Sequence, residues 1–304
     1  MTTRAMGPIA GFGWLKQAIN QGGGNPKAVF GGAGLLMLVA LVPTLVQIVV
    51  QGGMGAVSAT ATVGLLGFSV LYSLLVMGPL FAGYLRLLHA NESGAPVHAT
   101  SIFQIFQAGQ GAGRVIGVLL LVLVLGLLLF GAIALAFGGD FFAEMAVVMQ
   151  ALESAEPGEA PVIPALPSGT GTLFALLFIV GVFFNGVYSL ALGQAALGRA
   201  GVGQSLADGL LGALKNLLPL LVLTVAVLLA GLIALFVLAL GVALLMALGS
   251  FINPALGMVL AAPLYFAAMV ALYVVMFGVI YAMWRDICGG GVDTAAGGGH
   301  EVAA

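Results

Sequence analysis

Charge is what this sequence has least of: eight Lys and Arg and ten Asp and Glu together make up 6% of 304 residues. So few charged groups cannot clothe a water-soluble protein of this length, which excludes an ordinary soluble domain. The formal net charge of -2 offers no basic surface to hold a polyanion by counterion release, so nucleic acid is excluded as a partner. Cysteine is almost missing, and Cys288 alone forbids an intramolecular disulfide. It reads as a small residue in a membrane-proximal turn. Histidine is scarce too: His89, His98 and His300 form no cluster with Cys288, whereas a zinc centre needs three or four gathered ligands. GxSxG, HExxH and P-loop patterns are lacking, and the "GGG" runs at Gly22 and Gly289 have no strand, lysine and helix around them. No catalytic residue, cofactor site or metal site is expected, and the chain reads as non-enzymatic.

What the sequence has in abundance is apolar side chains, at 62% of residues with a mean hydropathy of +1.22. The solvent for most of the chain is therefore lipid. A helix needs about 20 apolar residues to cross the hydrocarbon core, and six runs qualify: 29–50, 61–85, 115–137, 170–193, 217–249 and 255–283. The fifth exceeds a straight crossing, which predicts tilt or protrusion. A polar lead without a small-residue cleavage signal precedes the first run, so that run is expected to be a retained span. The expected fold class is all-α: a polytopic transmembrane helix bundle with six spans over residues 1–288. The Gly- and Ala-rich tail 289–304 is expected to be disordered and cytoplasmic.

Basic residues fix the expected topology. Arg4, Lys16 and Lys27 precede span one, Arg86 and Arg114 join spans two and three, Arg199 and Lys215 join four and five, and Arg285 follows six. The opposite connections, 51–60, 138–169 and 250–254, hold no Lys or Arg. The positive-inside rule places both termini in the cytoplasm. On the outer side, 138–169 holds Asp140, Glu144, Glu153, Glu156 and Glu159. An amphipathic helix is predicted over 140–154, with Asp140 as N-cap and Phe141, Phe142, Met145, Val148, Met149 and Leu152 on its apolar side. Pro157, Pro161, Pro164 and Pro167 then keep the chain extended, and the acids lack the spacing of a calcium loop.

A threefold pattern runs through the chain. The stretches "GFGWLKQAINQGGGNPKAVFGG", "SIFQIFQAGQGAGRVIGV" and "QSLADGLLGALKNLLPLL" each pair an amphipathic segment with one cation, Lys27, Arg114 or Lys215, at the entry of a long apolar helix. "AGYLRLLHANESG", "QAALGRAGVG" and "YAMWRDICGGG" each end an even-numbered span with one arginine, Arg86, Arg199 or Arg285, followed by glycine. Three tandem units follow, each an interfacial helix plus a transmembrane hairpin.

With Gly13, Trp14, Leu15, Ala18, Asn25 and Pro26 ahead of the first span, the chain resembles a family of uncharacterised proteobacterial six-span inner-membrane proteins with a "GWxWLxxA…NP" type N-terminal stretch. The resemblance implies a polytopic bacterial inner-membrane protein and transfers no activity.

No ionisable residue lies at the centre of an apolar run, which disfavours a proton-coupled carrier. Asp208, Glu92, His89 and His98 are expected in inner loops. In "FFNGVYSLALGQ", Asn185, Ser189 and Gln194 are expected near one face of span four with Tyr188 adjacent, where Tyr72 and Tyr273 could meet them. Interhelical hydrogen bonding is the favoured role for these groups over a polar cavity. Gly31, Gly34, Gly64, Gly67, Gly181 and Gly186 are expected at close helix contacts, and Pro43, Pro79, Pro219 and Pro263 at kinks or span ends. The expected function is a scaffold, assembly or regulatory protein of the envelope. The alternative is a permease or channel-like protein for a small neutral or lipidic solute; an intramembrane lipid enzyme stands third. Expected partners are the lipid bilayer and either an envelope protein or further copies of the chain.

Overall fold

The computed structural model describes residues 3–54, 58–153, 169–198 and 200–289, and among them there is no strand. In chain order the helices are α1 (Ala10–Asn20), α2 (Pro26–Ala40), α3 (Val42–Met54), α4 (Ala59–Tyr72), α5 (Gly78–Glu92), α6 (Ala112–Phe137), α7 (Gly139–Glu153), α8 (Thr170–Leu197), α9 (Val202–Lys215), α10 (Leu217–Ser250) and α11 (Pro254–Ile287). A π-helical turn, Ser73–Met77, joins α4 to α5, and a 3₁₀ segment, Ala99–Phe106, precedes α6. Six stretches are long and apolar enough to cross a membrane: Pro26–Gly52, Thr60–Glu92, Ala112–Phe137, Thr170–Leu197, Leu217–Ser250 and Ala255–Ile287. They coincide with the six runs expected from the sequence, extended at several ends because polar residues there also continue the helices.

Local chemistry sets the boundaries. Asn25 caps α2, its Oδ1 accepting from the Ala28 N–H at 3.2 Å, with Pro26 in the first turn, where its missing N–H is harmless. Pro43 follows the break between α2 and α3 and divides the first span. Pro79 also cannot donate to the preceding turn, and the helix widens into the π-helical turn just before it. Pro263 is absorbed inside α11, and Pro219 sits in the first turn of α10, where no donor is needed.

At the centre α5, α8 and α11 pack on one another, and α2, α6 and α10 flank them. Helix α1 lies on α10 and α11, the 3₁₀ segment on α2 and α5, and α9 on α6 and α8. Lipid supplies no hydrophobic drive for these contacts, so close approach and interhelical hydrogen bonds must hold them. A Cβ at Gly83 would sit 2.1 Å from the Ile102 carbonyl oxygen, one at Gly11 2.5 Å from that of Pro219, and one at Gly278 2.9 Å from the Ala18 Cα. Of the glycines expected at close contacts, Gly31 and Gly186 do meet neighbours, whereas Gly34, Gly64, Gly67 and Gly181 have nothing within 4 Å of a modest side chain. Gly64 and Gly67 are exposed, while Gly34 and Gly181 are half-buried without a close neighbour, a difference that composition does not encode.

The bundle is tight at one end and open at the other. Buried positions gather where the basic residues lie: Leu80 to Leu88 in α5, Val187 to Ala196 in α8, and Phe277 to Ile287 in α11. Toward the other end α10 and α11 stay in contact through Gly249 and Gly257, but many side chains are uncovered, with Val49 73%, Leu135 89% and Phe251 86% exposed. Helices α3 and α4 bury no side chain in full among the described residues.

The expected helix over 140–154 is α7, but Asp140 does not cap it. The chain passes from α6 through Gly138 alone, and Gly138 accepts the first α7 bond from the Phe142 N–H at 2.8 Å, so Asp140 falls inside the first turn. Phe141 packs edge-on to Phe174 of α8, with ring centres 6.1 Å apart. The prolines of 157–167, Glu156, Glu159, Arg199 and the tail from 290 lie outside the described residues.

Candidate functional site at the basic end

Polar side chains converge at the basic end of the bundle, where few were expected to matter. Asp208 was expected in a loop; it lies on α9, only 2% exposed, because α9 packs its Ser205, Asp208, Gly209 and Gly212 side against α8. Its carboxylate accepts from Gln194 Nε2 and from Gln204 Nε2, each at 2.7 Å. Gln194, fully buried, accepts in turn from Trp284 Nε1 at 2.9 Å. A buried carboxyl group without hydrogen bonds would be costly, and these amide donors satisfy it. The network ties α8, α9 and α11.

A second tie closes on the same helix. Trp14 of α1 is fully buried and donates from Nε1 to Asp286 Oδ2 at 3.0 Å. Arg285 pairs with Glu92 and with Asp286, and donates to Gln17 Oε1 at 2.6 Å. His89 Nδ1 lies 3.0 Å from the Tyr281 hydroxyl. The leading residues are stitched in as well: the Arg4 N–H donates to the Ile287 carbonyl at 3.0 Å, the Met6 N–H to Asn216 Oδ1 at 2.7 Å, and Lys215 Nζ to the Thr3 carbonyl at 3.1 Å. Sequence reasoning missed these ties, although a tryptophan and an aspartate bordering apolar helices were signals, since both need partners once buried.

The expected cations have unequal surroundings. Lys27 is exposed. Arg86 donates from Nε to the Ala196 carbonyl at 2.8 Å and from Nη1 to Gln110 Oε1 at 3.2 Å. Arg114 donates from Nη1 to the Ala200 carbonyl at 3.4 Å. Cys288, just past α11, is buried, and burial together with the nearby Asp208 charge pushes its thiol up to about 12. That suits a structural residue and not a nucleophile. Among the described residues no three His, Cys, Asp or Glu side chains gather as metal ligands would.

The residues expected along one face of span four do not come together. Asn185 and Gln194 stand nine positions apart, which at about 100° per residue leaves them on opposite sides of α8. Asn185 is exposed, Ser189 is buried and Gln194 belongs to the Asp208 network. Tyr72 donates from its hydroxyl to the Val39 carbonyl at 2.7 Å, tying α4 to α2. Tyr273 stacks within α11 against Phe277, ring centres 6.2 Å apart. Tyr188 lines a cleft of about 420 Å³ between α4, α5, α6 and α8, whose walls are almost wholly apolar and include Leu66, Val70, Phe81, Leu119 and Phe184. The polar groups there are Tyr188, Ser69 and Ser73, and Ser69 already donates to the Leu65 carbonyl at 2.9 Å. The cleft abuts the π-helical turn, where the backbone departs from regular helix.

Six apolar helices long enough to cross the bilayer and a polar lock confined to their ends define a multi-pass integral membrane protein. No family model, curated protein or solved structure matches this chain.

Proposed function

We propose that this protein is a non-enzymatic scaffold, assembly factor or regulatory partner of other envelope proteins in a bacterial inner membrane, with both termini in the cytoplasm. One observation carries the reading: the bundle is locked at its basic end and leaves much apolar surface uncovered toward the opposite end, with Leu235, Phe236 and Val237 in α10 all more than 60% exposed. Long apolar faces held open on a rigid base suit the docking of another protein's transmembrane helix. The orientation rests on the gathering of Lys27, Arg86, Arg114, Lys215 and Arg285 at one end. The packing of α1, the 3₁₀ segment and α9 supports three tandem units, because each lies on the hairpin of the unit before it in cyclic order.

The test is purification of the tagged full-length protein from its native membrane in mild detergent, with co-purifying molecules identified by mass spectrometry. A stoichiometric protein that is lost when Leu235 and Phe236 are both replaced by tryptophan supports the scaffold reading. The apolar cleft beside Tyr188 favours a second reading, a permease for a lipidic solute. A chain isolated alone with a small molecule or lipid that Tyr188→Ala releases would favour that reading and overturn the first.

A further inference from the structure

Among the described residues, the two arginines between the second and third spans differ from Arg285 in having no carboxylate partner. Arg285 has Glu92 and Asp286, and Lys215 has the carbonyl and hydroxyl of Thr3. Arg86 and Arg114 have no carboxylate among the described residues, only carbonyls and an amide oxygen. Their guanidinium groups nevertheless share one place: Arg114 Nη2 and Arg86 Nη2 lie 3.7 and 3.8 Å from the point where a side chain at Gly111 would begin. Two like charges side by side repel unless something negative lies between or beside them. Arg114 Nε is buried and donates to nothing, an unsatisfied donor beside an uncompensated charge.

The backbone adds to the same field. Gly111, with φ +86°, precedes α6 and supplies no side-chain cap, and the first α6 bond runs from the Val115 N–H to the Gly111 carbonyl at 3.2 Å. The N–H groups of Ala112, Gly113 and Arg114 therefore begin a helix of 26 residues with no acceptor behind them, and the positive end of its dipole falls on the arginine pair. Beside Arg86 lies a cavity of about 230 Å³ lined in part by Ser101, Gln104 and Gln110, whose hydroxyl and amide groups give it a polar wall unlike that of the cleft beside Tyr188. Paired guanidinium forks, an uncapped helix start and polar groups beside them match a tetrahedral oxyanion, which arginines bind through parallel N–H donors.

We infer that Arg86 and Arg114, with the start of α6, form a binding site for a phosphate group, carried at this depth by the headgroup of an anionic membrane phospholipid. The site lies where the second span ends and the third begins, at the height of the headgroups on the basic side of the bundle, so a phospholipid reaches it laterally without leaving its leaflet. The phosphate would take the donors of both arginines, and a hydroxylated headgroup would find Ser101, Gln104 and Gln110 next to it. Free inorganic phosphate has the same chemistry, and the two sources separate by experiment.

The full-length protein is purified in a neutral detergent and analysed by native mass spectrometry after titration with phosphatidylglycerol or phosphatidylcholine, with and without inorganic phosphate. One phosphatidylglycerol per chain, bound at least tenfold more tightly than phosphatidylcholine and weakened about tenfold by Arg114→Gln, is the expected result. Arg114→Gln is the informative variant because among the described residues its side chain makes one long hydrogen bond, so the fold should tolerate it. Arg114→Lys, which keeps the charge but not the fork, should recover part of the binding, and Lys16→Gln at an exposed cation should change nothing. Stabilisation of the wild type by millimolar inorganic phosphate, lost in Arg114→Gln and unaccompanied by lipid preference, would assign the site to free phosphate and overturn the lipid assignment. Equal binding of both lipids with no effect of phosphate, or unchanged binding in Arg114→Gln, would overturn the site itself.

Discussion

Replacing Gln194 with leucine tests how the basic end is held together. Leucine has nearly the same volume but removes the donor to Asp208 Oδ2 at 2.7 Å and the acceptor for Trp284 Nε1 at 2.9 Å. A hydrogen bond to a charged group contributes about 1.5–3 kcal/mol, and a buried N–H left without a partner costs about 1–3 kcal/mol. Asp208 keeps Gln204, and its burial at 2% exposure prevents water from replacing the lost donor. The expected loss is about 3–5 kcal/mol, a large share of the stability of an ordinary protein. Unfolding of the purified protein in detergent, followed by tryptophan fluorescence and by thermal aggregation, measures it. Asp208→Asn should recover part of the loss in the double variant, since the pair then lacks the unsatisfied charge. A loss below about 1 kcal/mol, or strict additivity of the two substitutions, would refute the view that these groups form one network.

Three further outcomes follow from the packing. Gly83→Ala should destabilise by about 1–3 kcal/mol, because its Cβ would meet the Ile102 carbonyl at 2.1 Å, whereas Gly64→Ala, with open space at its Cβ, should be neutral or slightly stabilising in the same unfolding assay. Trp14→Phe should cost about 2–3 kcal/mol by removing the donor to Asp286, and the circular dichroism melting curve should shift accordingly. Cys288 should react with maleimide at pH 8 roughly three orders of magnitude more slowly than an exposed thiol, since its value moves from 9.0 to about 12. Because the folded chain then holds that proton when the unfolded chain has lost it, stability should fall as pH rises above about 9, and Cys288→Ala should flatten that slope.

Reading helices from this sequence was straightforward because lipid imposes a single demand: each span must be apolar and must satisfy its own backbone. The Pro26–Gly52 and Ala112–Phe137 spans are visible as runs for that reason. Which face of each helix turns inward is far less legible, as both lipid and core accept leucine and glycine. Gly64 and Gly83 look alike in the sequence, yet one faces open space and the other the Ile102 carbonyl. Span four shows the same limit, since proximity of Asn185 and Gln194 along the chain concealed a half-turn between them. Asp208 was set aside as a loop residue because charge near a helix end usually means solvent; only the packing of α9 on α8 reveals that it is enclosed.

The tie between α1 and α11 bears on the order in which the molecule can be made. Trp14 leaves the ribosome 272 positions ahead of its acceptor, Asp286. At about 5–20 residues per second, the interval between them is on the order of tens of seconds. Until the last two spans are made, α1 lacks α10 and α11 to lie on, and its apolar side must rest on the bilayer surface or under a chaperone. A chain cut short before the last span would insert its earlier helices and still leave Trp14 without its acceptor. Insertion and completion are thus separate events in this protein, and the N-terminal segment registers the second.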